Sequence, residues 1–368
     1  MRPGPASDRP SFSGRLIDWQ RQHGRHDLPW QKTQDAYRIW LSEIMLQQTQ
    51  VNSVIPYYAR FLERFPDIAQ LAAAPVEAVL ERWAGLGYYA RARNLHRCAQ
   101  IVVAEHGGRF PQDAKAIAEL PGIGRSTAAA ISAFAYGQSA AILDGNVKRV
   151  LTRCFGIEGF PGTAKTEKAL WALAESLLPK QQSEAYTQGL MDLGATRCTR
   201  SKPFCSACPM HEICIARHTG RQAELPTGKE KKPVPERASA VLLLTDGQRV
   251  LLERRPPSGI WGGLLALPEV EASAAETFAL RHGCRLLDTW SMTPLKHSFT
   301  HFRLTIHALY GSVEAAARCA TAPGWEWLDL QEVENAALPT PIRKLLRLAA
   351  KRDCTDRPEK KQARQRTG

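Results

Sequence analysis

The sequence predicts a multidomain chain, a large and mainly α-helical region followed by a smaller α+β domain. Three observations carry that prediction. From about Phe12 to Ala216 apolar residues recur every three or four positions. A polar, charged, proline-bearing stretch from Thr219 to Arg237 then interrupts them. Beyond it the rhythm turns to short β-rich runs. A length of 368 residues suits two domains or slightly more.

The elements follow in order. Residues 1–11 are polar and proline-rich and read as a flexible N-terminus without the apolar core of a signal peptide. The helical region is expected over 12–218. Tyr37, Trp40, Leu41, Ile44 and Met45 mark one helix face, and Val147, Val150, Leu151 and Cys154 mark another after the turn Asp144-Gly-Asn146. The longest charge-free stretch, Ser126 to Leu143, is rich in Ala and Ser and broken at Gly137-Gln138, so it reads as a buried helix and not a membrane span. Residues 219–237 form the linker. The second domain, 238–350, opens with strands Ala238–Thr245 and Arg249–Arg255 joined across Asp246-Gly247. Phe302, Leu304, Ile306 and Ala308 alternate, Trp325 to Leu330 makes a further strand, and Pro341 to Ala350 a closing helix. The basic tail 351–368 is expected to be disordered.

With 44% hydrophobic and 23% charged residues, the composition excludes wholesale disorder and fibrous chains. The net charge is +13, unevenly placed. Up to Leu225, 27 Lys/Arg face 20 Asp/Glu; Pro226 to Ala350 holds 15 against 13; the last 18 residues hold 7 against 3. Two basic zones around a nearly neutral one suit a polyphosphate partner, since neutralised phosphates release counterions. Charge alone serves solubility equally well. No membrane partner is expected, and the chain reads as a cytoplasmic protein.

Nine cysteines without a secretion signal argue against a disulfide framework. Cys98, Cys154, Cys284, Cys319 and Cys354 are scattered and read as small apolar or surface residues. Cys198, Cys205, Cys208 and Cys214 sit within 17 residues, spaced C-x6-C-x2-C-x5-C. Thiolates at that density call for a metal, and four-cysteine zinc and a cubane iron–sulfur cluster are both sensible. No further group nearby suggests an open catalytic position, so a structural staple is expected.

Glu119-Leu-Pro-Gly-Ile-Gly124 separates two helical patterns, Ile117 and Leu120 before it, Ala128 and Ile131 after. Pro121 stops the first helix, and Gly122 and Gly124 permit a turn that presents successive backbone N–H groups at the start of the next. Orphan amides and the helix dipole favour an anion there, the helix–hairpin–helix device for gripping DNA phosphate without reading sequence.

Two carboxylates stand out. Glu43 lies in Leu41-Ser-Glu-Ile-Met-Leu-Gln-Gln-Thr-Gln50, at the edge of an apolar stripe and three residues after Trp40. Desolvation beside aromatic surface would raise its pKa and suit it to general acid work. Gln48 falls where the stripe wants an apolar residue, so the helix is expected to leave the core there and face a ligand. Asp144 is placed to cap the next helix, and equally to stand against a developing cation. Cleaving an N-glycosidic bond needs a proton for the leaving base and a negative charge near an oxocarbenium-like sugar. Spacing does not show whether the two converge.

In this order, these features resemble the MutY-type adenine DNA glycosylases of the helix–hairpin–helix superfamily. The resemblance runs from about Leu28 to Arg347. It is carried by Leu28-Pro-Trp30, Leu41 to Val51, Gly85-Leu-Gly-Tyr-Tyr-Ala-Arg91, Leu120-Pro-Gly-Ile-Gly-Arg-Ser-Thr127, Ile142 to Val150 and the cysteine loop. It implies a helix–hairpin–helix glycosylase region with an iron–sulfur loop, plus a Nudix-like domain reading 8-oxoguanine. The implied substrate is duplex DNA with adenine opposite 8-oxoguanine or guanine, the adenine being flipped into a pocket. Glu43 would protonate adenine and help activate water, Asp144 would stabilise the sugar cation, and Asn146 would support the site. Trp30 and Gln188 would line the pocket, while Gln48 and Tyr88 would fill the stack around 8-oxoguanine. Gly122, Gly124, Ser126 and Lys148 would lie against DNA. The four cysteines would hold one 4Fe–4S cluster, and Arg197, Arg200 and Lys202 would meet phosphate.

One position separates close relatives. In the endonuclease III branch the residue two after the second hairpin glycine is a lysine that forms an imine with the sugar. Here it is Ser126, so the chemistry is expected to stop at base removal. In the second domain Gly259-Ile-Trp-Gly-Gly263 and Leu267-Pro-Glu269 fit a Nudix-like module, but Glu271 to Gly283 lacks the Glu-rich metal box of a pyrophosphohydrolase. The family's Phe-Ser-His loop stands here as Phe299-Thr300-His301. A glycosylase/lyase for oxidised pyrimidines is opposed by Ser126, a silent lesion binder by Glu43 and Asp144, and a nucleotide pyrophosphohydrolase by the missing box.

Overall fold

The computed structural model describes residues 11–229, 233–256, 259–299, 301–314 and 323–355. The chain divides into two compact units, Met1–Ala74 with Arg93–Lys231 and Pro75–Ala92 with Lys232–Gly368. In order the first twelve helices are α1 (Phe12–His23), α2 (Ala36–Leu46), α3 (Val51–Arg64), α4 (Ile68–Ala73), α5 (Val76–Trp83), α6 (Ala90–His106), α7 (Ala114–Ala118), α8 (Arg125–Tyr136), α9 (Gly145–Phe155), α10 (Ala164–Ser176), α11 (Ser183–Thr196) and α12 (Ile215–His218). Among them α5 belongs wholly to the second unit.

Short polar residues start these helices. The side chains of Ser11, Asp35, Asp67, Asp113, Asp144 and Thr163 accept the orphan amides of the first turns of α1, α2, α4, α7, α9 and α10. Gly137 and Gly156 close α8 and α9 in the left-handed conformation. One core of the first unit gathers Leu16 of α1, Val150 and Leu151 of α9, Leu170 of α10, and Tyr186, Leu190 and Leu193 of α11. Helix α2 is buried nearly all round: besides the expected stripe, Ile39 and Ser42 are also buried. Trp40 is fully buried with its ring 5.1 Å from that of Phe110, and the Tyr37 hydroxyl donates to the Phe65 carbonyl at 2.6 Å. Among the described residues no helix is long and apolar enough to cross a membrane.

The second unit is built on a mixed sheet. Its described strands are β1 (Glu236–Thr245), β2 (Arg249–Arg254), β3 (Leu265–Ala266), β4 (Leu286–Ser291), β5 (Leu295–Ser298), β6 (Arg303–Val313) and β7 (Trp325–Asp329), with α13 (Ala275–Arg281) and α14 (Thr340–Thr355). The path runs β3-β2-β1-β6-β4, with β5 paired to β6 and β7 to β2. The Asp246-Gly247 turn joins antiparallel β1 and β2: Asp246 Oδ1 accepts from the amides of Gln248 and Arg249, and Gly247 has φ +88. On its other side β1 pairs in parallel with β6, from Glu236↔Arg303 to Thr245↔Ser312. Alternation along β1 sends Val241 and Leu243 into a core with Leu345 and Leu346 of α14, and Leu242 and Leu244 into one with Ala279 of α13.

Strand β1 begins at Glu236, inside the stretch expected as linker, because Glu236 and Arg237 pair with β6. Helix α14 runs to Thr355, five residues past its expected end; the tail 356–368 and the N-terminal residues 1–10 lie outside the described residues. Cys284 is disulfide-bonded, against the expectation of an unpaired residue.

Candidate active site and cysteine loop

A pocket of about 380 Å³ opens in the first unit, lined among others by Trp30, Glu43, Leu46, Phe134 and Gln188. This is the size range of small-ligand sites. Glu43 reaches it from buried α2, and burial pushes its carboxyl from the ordinary 4.5 up to about 8, with the charge of Asp144 adding to the rise. Asp144, remote in sequence, is therefore near enough to act on Glu43 electrostatically. It caps α9, and Oδ1 accepts from the Val147 amide at 2.7 Å. Burial raises its carboxyl too, opposed by the amides of Val147 and Asn146 and by the charges of Arg149 and Lys148. One side chain thus caps α9 and acts electrostatically on Glu43.

Neighbours hold Asp144 in place. The Ser126 hydroxyl, in the first turn of α8, accepts from the Leu143 amide at 2.9 Å. Gly194 of α11 lets Asn146 approach: a Cβ at Gly194 would lie 2.6 Å from the Asn146 Cβ. Arg149 donates to Asn146 Oδ1 at 2.8 Å and to the carbonyls of Gly194 and Cys198, both at 2.7 Å. Lys148 pairs with Glu167 at 2.6 Å.

Gln188 is fixed from behind. Its Nε2 donates at 2.9 Å to Oδ1 of Asp192, one turn further along α11. Asp192 is fully buried and also accepts from Arg25, through Nε at 2.7 Å and the backbone amide at 2.9 Å. Nothing in the apolar rhythm pointed to Arg25 or Asp192. The one available signal was the four-residue spacing that puts Gln188 and Asp192 on one helix face.

Gln48 lies beyond the end of α2 and is exposed, with φ 56 in the left-handed region. The helix has stopped there instead of turning away from the core. Tyr88 belongs to the second unit; it is 45% exposed with φ 50, and Arg91 stacks over its ring at 5.4 Å. Strain at two exposed non-glycine positions is characteristic of functional loops. In the hairpin Gly122 has φ +78, and a Cβ there would meet Asn94 at 2.8 Å; Gly124 caps α8 with no side chain over the amides that follow.

In the second unit, Phe299 stacks on Phe302 at 4.4 Å, edge-on to His297 at 4.7 Å, with Trp261 at 6.1 Å. Burial lowers the His297 pKa. His301 is exposed beside Phe302, 4.9 Å between rings, and Thr300 lies outside the described residues. The helix where a metal box would sit, α13, is seven residues long with Glu276 in its first turn.

Cys198, Cys205, Cys208 and Cys214 line one cavity, together with Arg153, Arg197 and Arg217 and no carboxylate. Among the described residues Arg197 Nε, buried there, has no hydrogen-bond partner. Among the described residues no three His, Cys, Asp or Glu side chains converge tightly enough for a single metal ion. Four thiols around a cavity lined by three arginines and no carboxylate fit a thiolate-held group of net negative charge.

Comparison with known proteins finds two families along the chain, and residues 75–92 of the second unit fall inside the first match. Residues 41–176 match the HhH-GPD superfamily of base excision DNA repair proteins, and residues 240–348 match the NUDIX domain. An adenine DNA glycosylase of Buchnera aphidicola subsp. Acyrthosiphon pisum (strain APS) is 36% identical over 337 residues, 91% of this chain and 96% of that one. The Homo sapiens adenine DNA glycosylase is 33% identical over 404 residues, 92% of this chain and 74% of its own. A solved thermostable thymine-DNA glycosylase shares 33% identity with a TM-score of 0.52, over 56% of this chain and 95% of that one.

Proposed function

Because the chain belongs to the adenine DNA glycosylases, hydrolases of N-glycosidic bonds in base excision repair, we propose that it removes adenine paired with 8-oxoguanine or guanine and leaves the strand intact. The observation that carries the reading is Glu43: a carboxyl held up near 8 on a pocket wall is an acid at neutral pH. A flipped adenine enters beside Trp30 and Gln188. Glu43 gives its proton to the base as the glycosidic bond breaks, and the bonding pair leaves with adenine. Asp144 holds the sugar cation until water adds to its anomeric carbon, and the water's proton returns to Glu43.

Ser126 supports a reaction without strand cleavage. Its hydroxyl holds the Leu143 amide, and no amine stands at that position to form an imine. The four cysteines would hold one 4Fe–4S cluster, which supplies a rigid staple and a local charge of about −2. The aromatic group around Phe299, with Thr300 and His301, would read 8-oxoguanine, while Gly122, Gly124 and Lys148 would meet the backbone and Gln48 and Tyr88 the opened stack. We take the enzyme as a cytoplasmic monomer on duplex DNA.

Duplexes carrying adenine opposite 8-oxoguanine, adenine opposite guanine, or thymine glycol, each assayed with and without alkali, test this. Adenine release with breakage only after alkali is expected. Nicking without alkali, trapped by borohydride, overturns the reading.

A further inference from the structure

Against the cysteine loop lies a buried charge that the catalytic reading does not use. Arg153 of α9 is 3% exposed. Its Nε donates to the Leu225 carbonyl at 2.8 Å, Nη1 to Thr199 O at 2.7 Å and Nη2 to Arg200 O at 2.9 Å. Nη1 also lies 3.4 Å from Cys198 Sγ. Among the described residues no carboxylate pairs with it. A guanidinium taken out of water without a counter-anion is costly, and three neutral carbonyls offset only part of that cost.

The missing negative charge lies on the cavity's thiol side. Arg153, Arg197 and Arg217 share that cavity with the four cysteines, and no carboxylate lines it. We propose that Arg153 is a positioning residue for the cysteine-held group: its fork clamps the backbone on both sides of the loop, at 199–200 and at 225, and its charge balances the thiolates. The inference rests on the cluster reading above. It extends that reading by assigning to one buried cation the retention of the group and part of its electronic tuning. The planar fork matters as much as the charge, since a lysine ammonium cannot satisfy three divergent carbonyls and a sulfur together.

The test compares full-length wild type, Arg153→Met and Arg153→Lys, isolated without oxygen. It reads iron per chain, the rate at which a chelator bleaches the cluster absorbance, and the reduction potential. Arg153→Met is expected to lose the cluster about ten-fold faster or more, with a more negative potential because a positive charge beside the acceptor is gone. Arg153→Lys keeps the charge and loses the clamp, so bleaching accelerates while the potential stays near wild type. If Arg153→Met does not accumulate as folded protein, the bleaching rate of Arg153→Lys decides. Variants that bleach at the wild-type rate with unchanged potential overturn this assignment alone. Wild-type protein without iron overturns the cluster reading and this one with it.

Discussion

Asp144, at the head of α9, adds its charge to the burial that lifts the Glu43 carboxyl on α2 to about 8. Glu43 keeps its proton at neutral pH, and burial raises Asp144 as well, against the pull of the Val147 and Asn146 amides and the Arg149 and Lys148 charges.

Glu43→Gln should lower kcat by about 10² to 10⁴ and leave DNA affinity nearly unchanged, measured by single-turnover rates and titration binding. In the wild type the acid form prevails below about pH 8, so kcat should fall as pH rises through that value.

The same residue should make stability fall with pH. Its pKa rises on folding from about 4.5 to about 8, so across that window the folded state binds more protons than the unfolded chain. Stability contributed by Glu43 is therefore fully present below pH 4.5 and is lost as pH climbs toward 8, by on the order of a few kcal/mol. Denaturant titrations at pH 5 and pH 9 should show Glu43→Gln gaining on the wild type at the higher pH.

Gly194→Ala should push on Asn146, 2.6 Å from the new methyl, and shift the first turn of α9. A stability loss of about 1–3 kcal/mol by urea unfolding is expected. The fall in kcat should exceed the change in KM.

Asp192→Ala should strand the amide and guanidinium of Arg25 and release Gln188. A loss of about 3 kcal/mol in urea unfolding should accompany weaker binding of free adenine, read by calorimetry.

Phe299→Ala should erode the preference for 8-oxoguanine over guanine opposite the target, by about five- to ten-fold in the ratio of kcat/KM values. Glycosidic cleavage of bound adenine in a single turnover should be unaffected.

Local order was legible in the sequence where local physics decides it. The helix carrying Glu43, the cap at Asp144, the glycine turn at Gly122 and the Asp246-Gly247 hairpin follow from apolar rhythm and side-chain-to-backbone chemistry within a few residues. The meeting of Glu43 with Asp144 was not legible, because tertiary packing sets it. Parallel pairing of β1 with β6 joins strands distant in sequence, and no alternation pattern names its partner. Arg153 and Asp192 escaped because charged residues on helices usually face water, and burial with partners far along the chain leaves no periodic trace. Ser126 pointed to the missing lysine; its bond to the Leu143 amide, the positive role of that hydroxyl, appears only in the fold.

Residues Pro75–Ala92 count with the second unit although both flanks belong to the first. The backbone therefore crosses between the units three times, at 74/75, 92/93 and 231/232. Tyr89 donates to the Leu338 carbonyl, and α5 contributes Leu80 next to Gly263. Proteolysis in the segment before β1 cannot free the second unit whole, since residues 75–92 stay on the other fragment. Stopping the chain near Leu225 would likewise deprive α5 and the Gly85–Tyr89 loop of their packing partners. A domain-swap experiment therefore has to carry residues 75–92 along with the sheet.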